Sequence, residues 1–421
     1  MKLLIGGSPC THWSIAQTKN RETEASGIGW ELFLNYRIAR DKYKPDFFLY
    51  ENNKSMSPAI RAQITAELGV EPVLINSALV SAQNRQRLYW AGKRNQDGTY
   101  SQVAVEQPVD RGILLRDILE SGAVTWHEKA YTLRASAATK QGVSNVLRHI
   151  ETNGHFGYMG VAEPVNMTVD GKAQCLRATY YKDGIRNMVG NTIDRKTCVA
   201  EPVRIGTIES KAKNTDFDSQ QYRVYSPDGK SVTLCGQGGG VGAKTGLYAV
   251  PVIPDGKGQF AIKVAGGKEI QVYEVRGGCI TIKGKEYPIK LADGFYIIRK
   301  LTVTECKRLQ TVPDTYAFPV SDTQAYKMLG NGWTVDVIAH IMSHFTGLTE
   351  EAVEVLSMYD GMSCGHIALD KLGVQPWLLR YYATEIDKYA IQTTQHNFPD
   401  TVQLGDAFLV RNDDWRLGDE L

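Results

Sequence analysis

The chain lacks any apolar run approaching the ~18 residues a membrane-spanning helix needs, and its first residues do not form a secretory signal pattern. Its seven cysteines are odd in number and scattered, with no CxxC pair and no His-rich ligand spacing. This usage points to a reducing cytosol and away from a zinc site. Net charge is also scarce: 48 Lys and Arg stand against 46 Asp and Glu, a formal balance of +2. The total therefore gives no argument for a polyanionic partner, but the distribution gives one. From Glu351 onward, five Lys/Arg face twelve Asp/Glu, leaving 43 against 34 in the rest. An acidic C-terminal stretch hides a moderately basic body able to bind a polyanion, although solvated charge without a partner fits the counts equally well. Hydrophobic and charged contents of 43% and 22% are those of a globular chain with a sizeable core. The 421 residues suit one large domain with an inserted or appended one, or two to three modest domains.

Residues 1–96 read as α/β. The strand-like runs KLLIGG, DFFLYEN and EPVLINSALV alternate with helical segments at Gly29–Arg40 and Ser57–Leu68, and each run ends in small or polar residues. From 97 to 298 the texture changes to short β-type runs, many glycines and turns such as PDG. KAYTLRAS (129–136), KAQCLRAT (172–179) and KSVTLCGQ (230–237) share a pattern and each is followed by a valine–proline close, which fits three repeated β-hairpin modules with Gly-rich loops or, alternatively, turn-rich decoration alone. Helix returns over 299–313, with Thr304 as its cap, and again where Val335, Ile338, Met342 and Phe345 share one face. Ser343–Glu351 reads as an exposed connector before the buried-strand pattern Val353–Met358.

That last strand runs into YDGMSCGHIALDKLG, a strand–Gly-loop–helix with Gly373 just past its end. A second strand ends in Glu385, where an acidic residue can accept hydrogen bonds from ribose hydroxyls, and a third ends in Asp406. The Gly361/Gly365 spacing is not a full dinucleotide fingerprint, so an adenosine-bearing cofactor and ordinary sheet-edge loops both fit. At the other end of the chain, Cys10 follows the apolar run Leu3–Ile5, Glu51 ends a buried-type strand, and Arg85 and Arg87 lie two apart on a strand-like run. Two apart means the same face, so both guanidiniums are expected to reach one anionic or carbonyl-rich ligand. Together these groups read as a nucleophile–acid–anion site; singly, each fits a core cysteine, a strand-end ion pair or a solvated arginine pair.

The chain resembles the C5-cytosine DNA methyltransferase family. GGSPCTHWS resembles its Pro-Cys nucleophile loop, ENN its Glu-Asn-Val motif and QNRQR its Gln-x-Arg-x-Arg motif. ECKRLQTVPDTY and LGNGWTV resemble its two late motifs, and YDGMSCG, TEID and LGDA those that hold S-adenosylmethionine. The wording GGSPC and GNGWTV leans toward the de novo-type branch. Thr11 stands where Gln is common, Asn53 where Val is usual, and Ile386 where an aromatic often covers adenine. The cofactor motifs come last here instead of first, so the chain resembles a circularly permuted member.

The resemblance implies a Rossmann-like S-adenosylmethionine-dependent methyltransferase fold: a mixed, mostly parallel sheet with helices on both faces, permuted, with a β-rich inserted target-recognition domain. Residues 1–96 would form the nucleophile half, 97–298 the target-recognition domain, 299–346 the late motifs and 347–421 the cofactor half. In the permuted reading, Met1–Ile5 must run parallel to Val402–Leu404 or near it, with the chain ends close together. Cys10 would attack C6 of a flipped cytosine, Glu51 would engage N3 and the amino group, and Arg87 the O2 side, with Arg85 supporting the loop. Pro9, Tyr359, Asp360, Gly361, Gly365, Glu385, Ile386, Asp406, Asn331, Gly332 and Trp333 would line the cofactor site, while Ser14, Arg134 and Arg177 would touch DNA. The implied partner is double-stranded DNA, for a monomer acting without metal or membrane in the cytoplasm of a bacterial or phage-infected cell, with a restriction endonuclease as a companion. An RNA methyltransferase and a non-catalytic DNA-binding relative are the competing readings.

Overall fold

In the computed structural model, the described residues are 1–14, 21–120, 201–208, 220–236, 242, 244–252, 272–282 and 284–412. The repeats at 129–136 and 172–179, Arg134, Arg177 and the last residues of the chain lie outside them. The chain divides into two compact units, one of Met1–Ile113, Thr233–Gln237 and Cys306–Leu421, the other of Leu114–Val232 and Gly238–Glu305.

In chain order, the first unit opens with β1 (Lys2–Gly6), α1 (Gly27–Tyr43), β2 (Phe47–Asn53), α2 (Pro58–Leu68), β3 (Val73–Asn76), β4 (Gln86–Arg94) and β5 (Tyr100–Gln102). The second unit supplies β6 (Arg204–Thr207), β7 (Arg223–Tyr225), β8 (Leu247–Val252), β9 (Val272–Arg276), β10 (Cys279–Ile282), β11 (Lys285–Pro288) and β12 (Gly294–Arg299). Then follow α3 (Val303–Leu309), α4 (Asp322–Asn331), α5 (Val335–Met342), β13 (Val353–Met358), α6 (Cys364–Leu372), β14 (Leu379–Thr384), α7 (Lys388–Asn397) and β15 (Val402–Gly405).

The first unit's sheet has the order β15-β14-β13-β1-β2-β4-β3, with β5 paired to β4. The five strands from β15 to β2 are parallel to their neighbours, and β4 runs antiparallel to both β2 and β3. Strands buried on both faces read as unbroken apolar runs, and β1 does so over Leu3–Ile5 and β2 over Phe47–Tyr50. Alternation along β1 separates the two layers. Leu4 packs in a cluster with Phe33 and Tyr36 of α1 and Ile60 and Ile64 of α2, whereas Ile5 meets Gly365 of α6. Helices thus cover both faces of a mixed, mostly parallel sheet, the layering of a Rossmann-like methyltransferase fold.

Several details differ from expectation. Met1–Ile5 does not adjoin Val402–Leu404: β1 lies between β13 and β2, pairing Lys2 with Glu354 through Gly6 with Met358, and β15 is three places away. The connector Ser343–Glu351 is only partly exposed, because Phe345 stacks on Phe47 at 4.8 Å and Leu348 is buried. The strand expected over EPVLINSALV is just Val73–Asn76, after which Asn76 caps a short 3₁₀ turn. Thr304 lies inside α3; Thr302 caps it, its Oγ1 accepting from the Glu305 N–H while the Glu305 carboxylate accepts from the Thr302 N–H. No helix among the described residues is long and apolar enough to cross a membrane.

The second unit holds a seven-stranded sheet of order β11-β10-β9-β12-β8-β7-β6, with Val224, Leu247, Ala249, Val275, Ile280 and Tyr296 in its core. The one repeat within the described residues, beginning at Lys230, is not a hairpin. Residues 232–236 have no regular structure, and Thr233–Gln237 belongs to the first unit.

Candidate active site

At the C-terminal edge of β1 the chain turns through Gly6 and Gly7. A side chain at Gly6 would strike the Met358 carbonyl at 2.8 Å, and one at Gly7 would strike the Glu51 carbonyl and carboxylate at 2.9 Å. Glycine is needed here for close approach. Beyond it, Ser8 Oγ pairs with the Tyr50 hydroxyl at 2.7 Å, and Asn52 Nδ2 donates to the Ser8 carbonyl at 3.2 Å. Pro9, fixed in φ, delivers Cys10 into a short 3₁₀ turn whose carbonyl accepts from the N–H groups of Trp13 and Ser14. Asn53 Nδ2 also reaches that carbonyl at 3.5 Å, a contact valine could not make. Cys10 itself is half-buried.

Glu51, near the end of β2, is 9% exposed. A carboxylate there is costly unless partnered, and both its oxygens are. Arg87 Nε sits 3.0 Å from Oε1, and the Trp333 indole N–H donates to Oε2 at 3.0 Å. Arg85 does not share this face, contrary to the reading of the pair. It precedes β4, is 3% exposed, and donates to the carbonyls of Leu234, Gly330 and Gly332. Burial, and the Arg87 charge beside it, push its pKa down to about 10, so it keeps its proton near neutral pH. The reason is local: the strand begins only at Gln86, so the two-residue alternation does not govern Arg85.

Arg85 therefore ties the strap Thr233–Gln237 to the turn after α4. Backbones touch there, since a side chain on Gly330 would lie 2.2 Å from the Gly236 nitrogen. Thr233 Oγ1 donates to the Asn84 carbonyl at 2.6 Å. Burial raises the Cys235 pKa, opposed by the nearby Arg85 and Arg87 charges. Sequence reasoning placed this segment in a hairpin array; the TL dipeptide was visible, but its attachment to the first unit was not. From α3, Gln310 Nε2 donates to the Leu329 and Gly332 carbonyls, and its Oε1 accepts from Thr334 Oγ1.

The strand next to β1 is β13, and its C-terminal edge leads into the loop before α6. Tyr359, Gly361 and Ser363 all have positive φ, near +60°, unusual for the two non-glycine residues and a mark of strain at functional loops. Glu385 follows β14 and accepts the N–H groups of Gly361, Ile386 and Asp387 at 2.8 Å, so its carboxylate is fixed by backbone alone. Ile386 is 73% exposed beside it, and Asp406, exposed, caps the turn after β15. No atom lies within 4 Å of a Cβ position at Gly361, leaving open space over the loop. Open loop, fixed carboxylate and exposed apolar side chain fit an adenosine-bearing group.

Two residues assigned to that group by sequence serve the fold. Gly365 packs against Ile5 Cδ1, 2.2 Å from its Cβ position, and is a helix–sheet contact. Asp360 turns inward, accepting from Tyr381 OH at 2.8 Å and from Ser363 Oγ. Burial raises its pKa to about 6, the hydrogen bonds opposing. An acid with a raised folded pKa loses stability as pH climbs through that value. Asp360→Asn should therefore gain on the wild type between pH 4 and pH 7.5, by about 2 kcal/mol. Melting curves of both proteins across that range check it; a difference that shrinks as pH rises refutes the assignment. Trp333, expected at the cofactor, directs its indole to Glu51.

A family model described as C-5 cytosine-specific DNA methylase matches residues 1–346. The orphan methyltransferase M.SPRI of Bacillus phage SPR is 24% identical over 377 residues, 80% of this chain and 81% of that one. The type II methyltransferase M.HhaI of Haemophilus parahaemolyticus is 35% identical over 80 residues, 18% of this chain and 24% of that one. The Entamoeba histolytica methyltransferase EhMeth aligns over 81% of this chain and 76% of that chain, with 11% identity and a TM-score of 0.39. The family match extends over well more than half the chain, from the Cys10 loop to the end of the late motifs: the protein belongs to the C-5 cytosine-specific DNA methylases, S-adenosylmethionine-dependent enzymes that methylate DNA cytosine.

Proposed function

We propose that this enzyme methylates C5 of a cytosine flipped out of duplex DNA, through a covalent bond between Cys10 Sγ and C6. The observation that carries the reading is the Glu51 carboxylate, gripped by Arg87 and Trp333 and set against the Cys10 loop at Gly7. C5 of cytosine is not nucleophilic. Addition of the Cys10 thiolate at C6 moves an electron pair toward N3 and C5; Glu51, engaging the base in its acid form, gives its proton to N3 and accepts from the amino N–H, so the developing charge is neutralised. Arg87 holds the O2 side. S-adenosylmethionine, when bound, supplies the electrophilic methyl group. Return of the N3 proton to Glu51, loss of the C5 proton to water and cleavage of the S–C6 bond then restore aromaticity and free the Cys10 thiolate. Tyr359, Gly361, Glu385, Ile386, Asp406 and the turn residues Asn331 and Gly332, with Pro9, would hold the cofactor, while Trp333 serves Glu51.

The segment 97–298 would read the target sequence, with Arg134, Arg177 and Ser14 at phosphates or base edges. The order of motifs is that of a circular permutation, a reading supported by β1 lying between β13 and β2. One set of assays tests function and order together: methyl transfer to duplex DNA, single-stranded DNA and tRNA, with bisulfite sequencing of a co-expressed plasmid. Modified cytosine in one duplex sequence is the expected result. Transfer to tRNA alone, or none, overturns the function. A chain with residues 347–412 moved by a linker to precede residue 1 should remain active, and its failure to fold overturns the permuted reading.

A further inference from the structure

The turn between α4 and α5 joins two halves of the site. Gly332 has its carbonyl held by Arg85 Nη2 at 2.9 Å and Gln310 Nε2 at 3.3 Å; Thr334, one residue past Trp333, has its hydroxyl held by Gln310 and by Ser77 Oγ at 2.8 Å. Trp333, pinned on both sides, has little freedom of its own. Its indole N–H donates to Glu51 Oε2 while the Arg87 guanidinium forms an ion pair with Oε1, so the carboxylate is held at both oxygens. Gly7 closes the third side: any side chain there would press within 2.9 Å of Oε2 and 3.4 Å of the indole nitrogen. On its other flank the turn rests on the first residue of α6. A Cβ at Gly332 would lie 3.2 Å from Cys364 Sγ and 3.6 Å from Met362 Sδ, and the Trp333 backbone amide faces the Cys364 thiol.

We propose that Trp333 is a positioning residue for Glu51, coupling the glycine loop before α6 to the group that engages the target base. The proposal rests on the catalytic role given above to Glu51. A shift of the loop at Met362–Cys364 moves the turn, and the indole carries that shift to the carboxylate. Occupancy of the loop and orientation of the acid are thereby one event, with no contact required between Glu51 and the cofactor.

Trp333→Phe keeps the ring and removes the N–H. Steady-state kinetics on duplex DNA should show kcat falling on the order of 10-fold, the loss of about one hydrogen bond to a charged group, with KM for S-adenosylmethionine within about twofold of wild type. In a Glu51→Gln background the same change should cost little more, because the acid it serves is already gone. Gly7→Ala, crowding the same hydrogen bond from the opposite side, should likewise lower kcat and spare the cofactor KM, and it stands in if Trp333→Phe does not fold. A rise in cofactor KM with kcat unchanged, or an undiminished Trp333→Phe effect in the Glu51→Gln protein, overturns the proposal while leaving the methylation reading in place. Wild-type protein inactive on every cytosine duplex removes that reading, and the proposal with it.

Discussion

Cys10→Ala should abolish methyl transfer, by on the order of 10⁴-fold or more, while leaving the melting temperature and cofactor binding close to wild type. In the proposed mechanism the thiol makes the bond on which every later step depends. Its surroundings argue for a mild structural effect. Cys10 is half-buried, and its backbone carbonyl, not its sulfur, anchors the turn through Trp13, Ser14 and Asn53. Duplex containing 5-fluorocytosine at the target should trap wild-type protein covalently, since fluorine at C5 blocks the elimination, and should fail to trap Cys10→Ala. Cys279→Ala, on β10 of the second unit, should still be trapped. Trapping of Cys10→Ala at the wild-type level would show that another sulfur is the nucleophile; Cys235, within electrostatic reach of Cys10 and both arginines, would be the first to test.

Arg85→Met should cost about 3–5 kcal/mol of stability and open the strap at 233–237 to proteolysis. The guanidinium serves three carbonyls, those of Leu234 and Gly330 in buried bonds and that of Gly332 in a half-buried one, from two segments far apart in sequence. Methionine fills the volume but strands the Leu234 and Gly330 carbonyls, while Gly332 keeps Gln310. Arg85→Lys should recover only part of the loss, because one ammonium cannot serve three directions from a fixed planar fork. Thermal melting and limited proteolysis measure both effects. A melt within about 1 kcal/mol of wild type, with the strap still protected, would mean that water replaces the guanidinium and that the strap is held by Gly236 and Thr233 alone.

Most of the α/β frame was legible because its signals are local. Val353–Met358 reads as a buried strand and is one; Ser57 with Pro58 announces α2, and Gly373 ends α6 with a φ of 83°. The candidate site was legible as residue types at strand ends, since each of Cys10, Glu51, Glu385 and Asp406 follows or closes a strand. What stayed hidden was direction. Arg85 and Arg87 differ by two in sequence but by a strand boundary in space, Asp360 faces Tyr381 instead of solvent, and Gly365 answers to Ile5. Trp333's partner is 282 residues away, a pairing that periodicity and spacing do not encode. The placement of β1 was missed for the same reason: apolarity says a strand is central and not between which neighbours it lies.

The pairing of β1 with β13 sets the timing of synthesis. Lys2 meets Glu354, so a ribosome moving at roughly 5–20 residues per second makes one strand about 20–70 seconds before the other. Throughout that interval the strand leading into the Cys10 loop has only β2 on one side, and its other edge, Leu3 to Gly6, waits unpaired. The cofactor loop is translated after β13 and on the same stretch of chain. Under the proposed function, a partly made chain that stops short of β13 therefore cannot hold the methyl donor beside Cys10, and competence waits until β13 and the loop after it have been made.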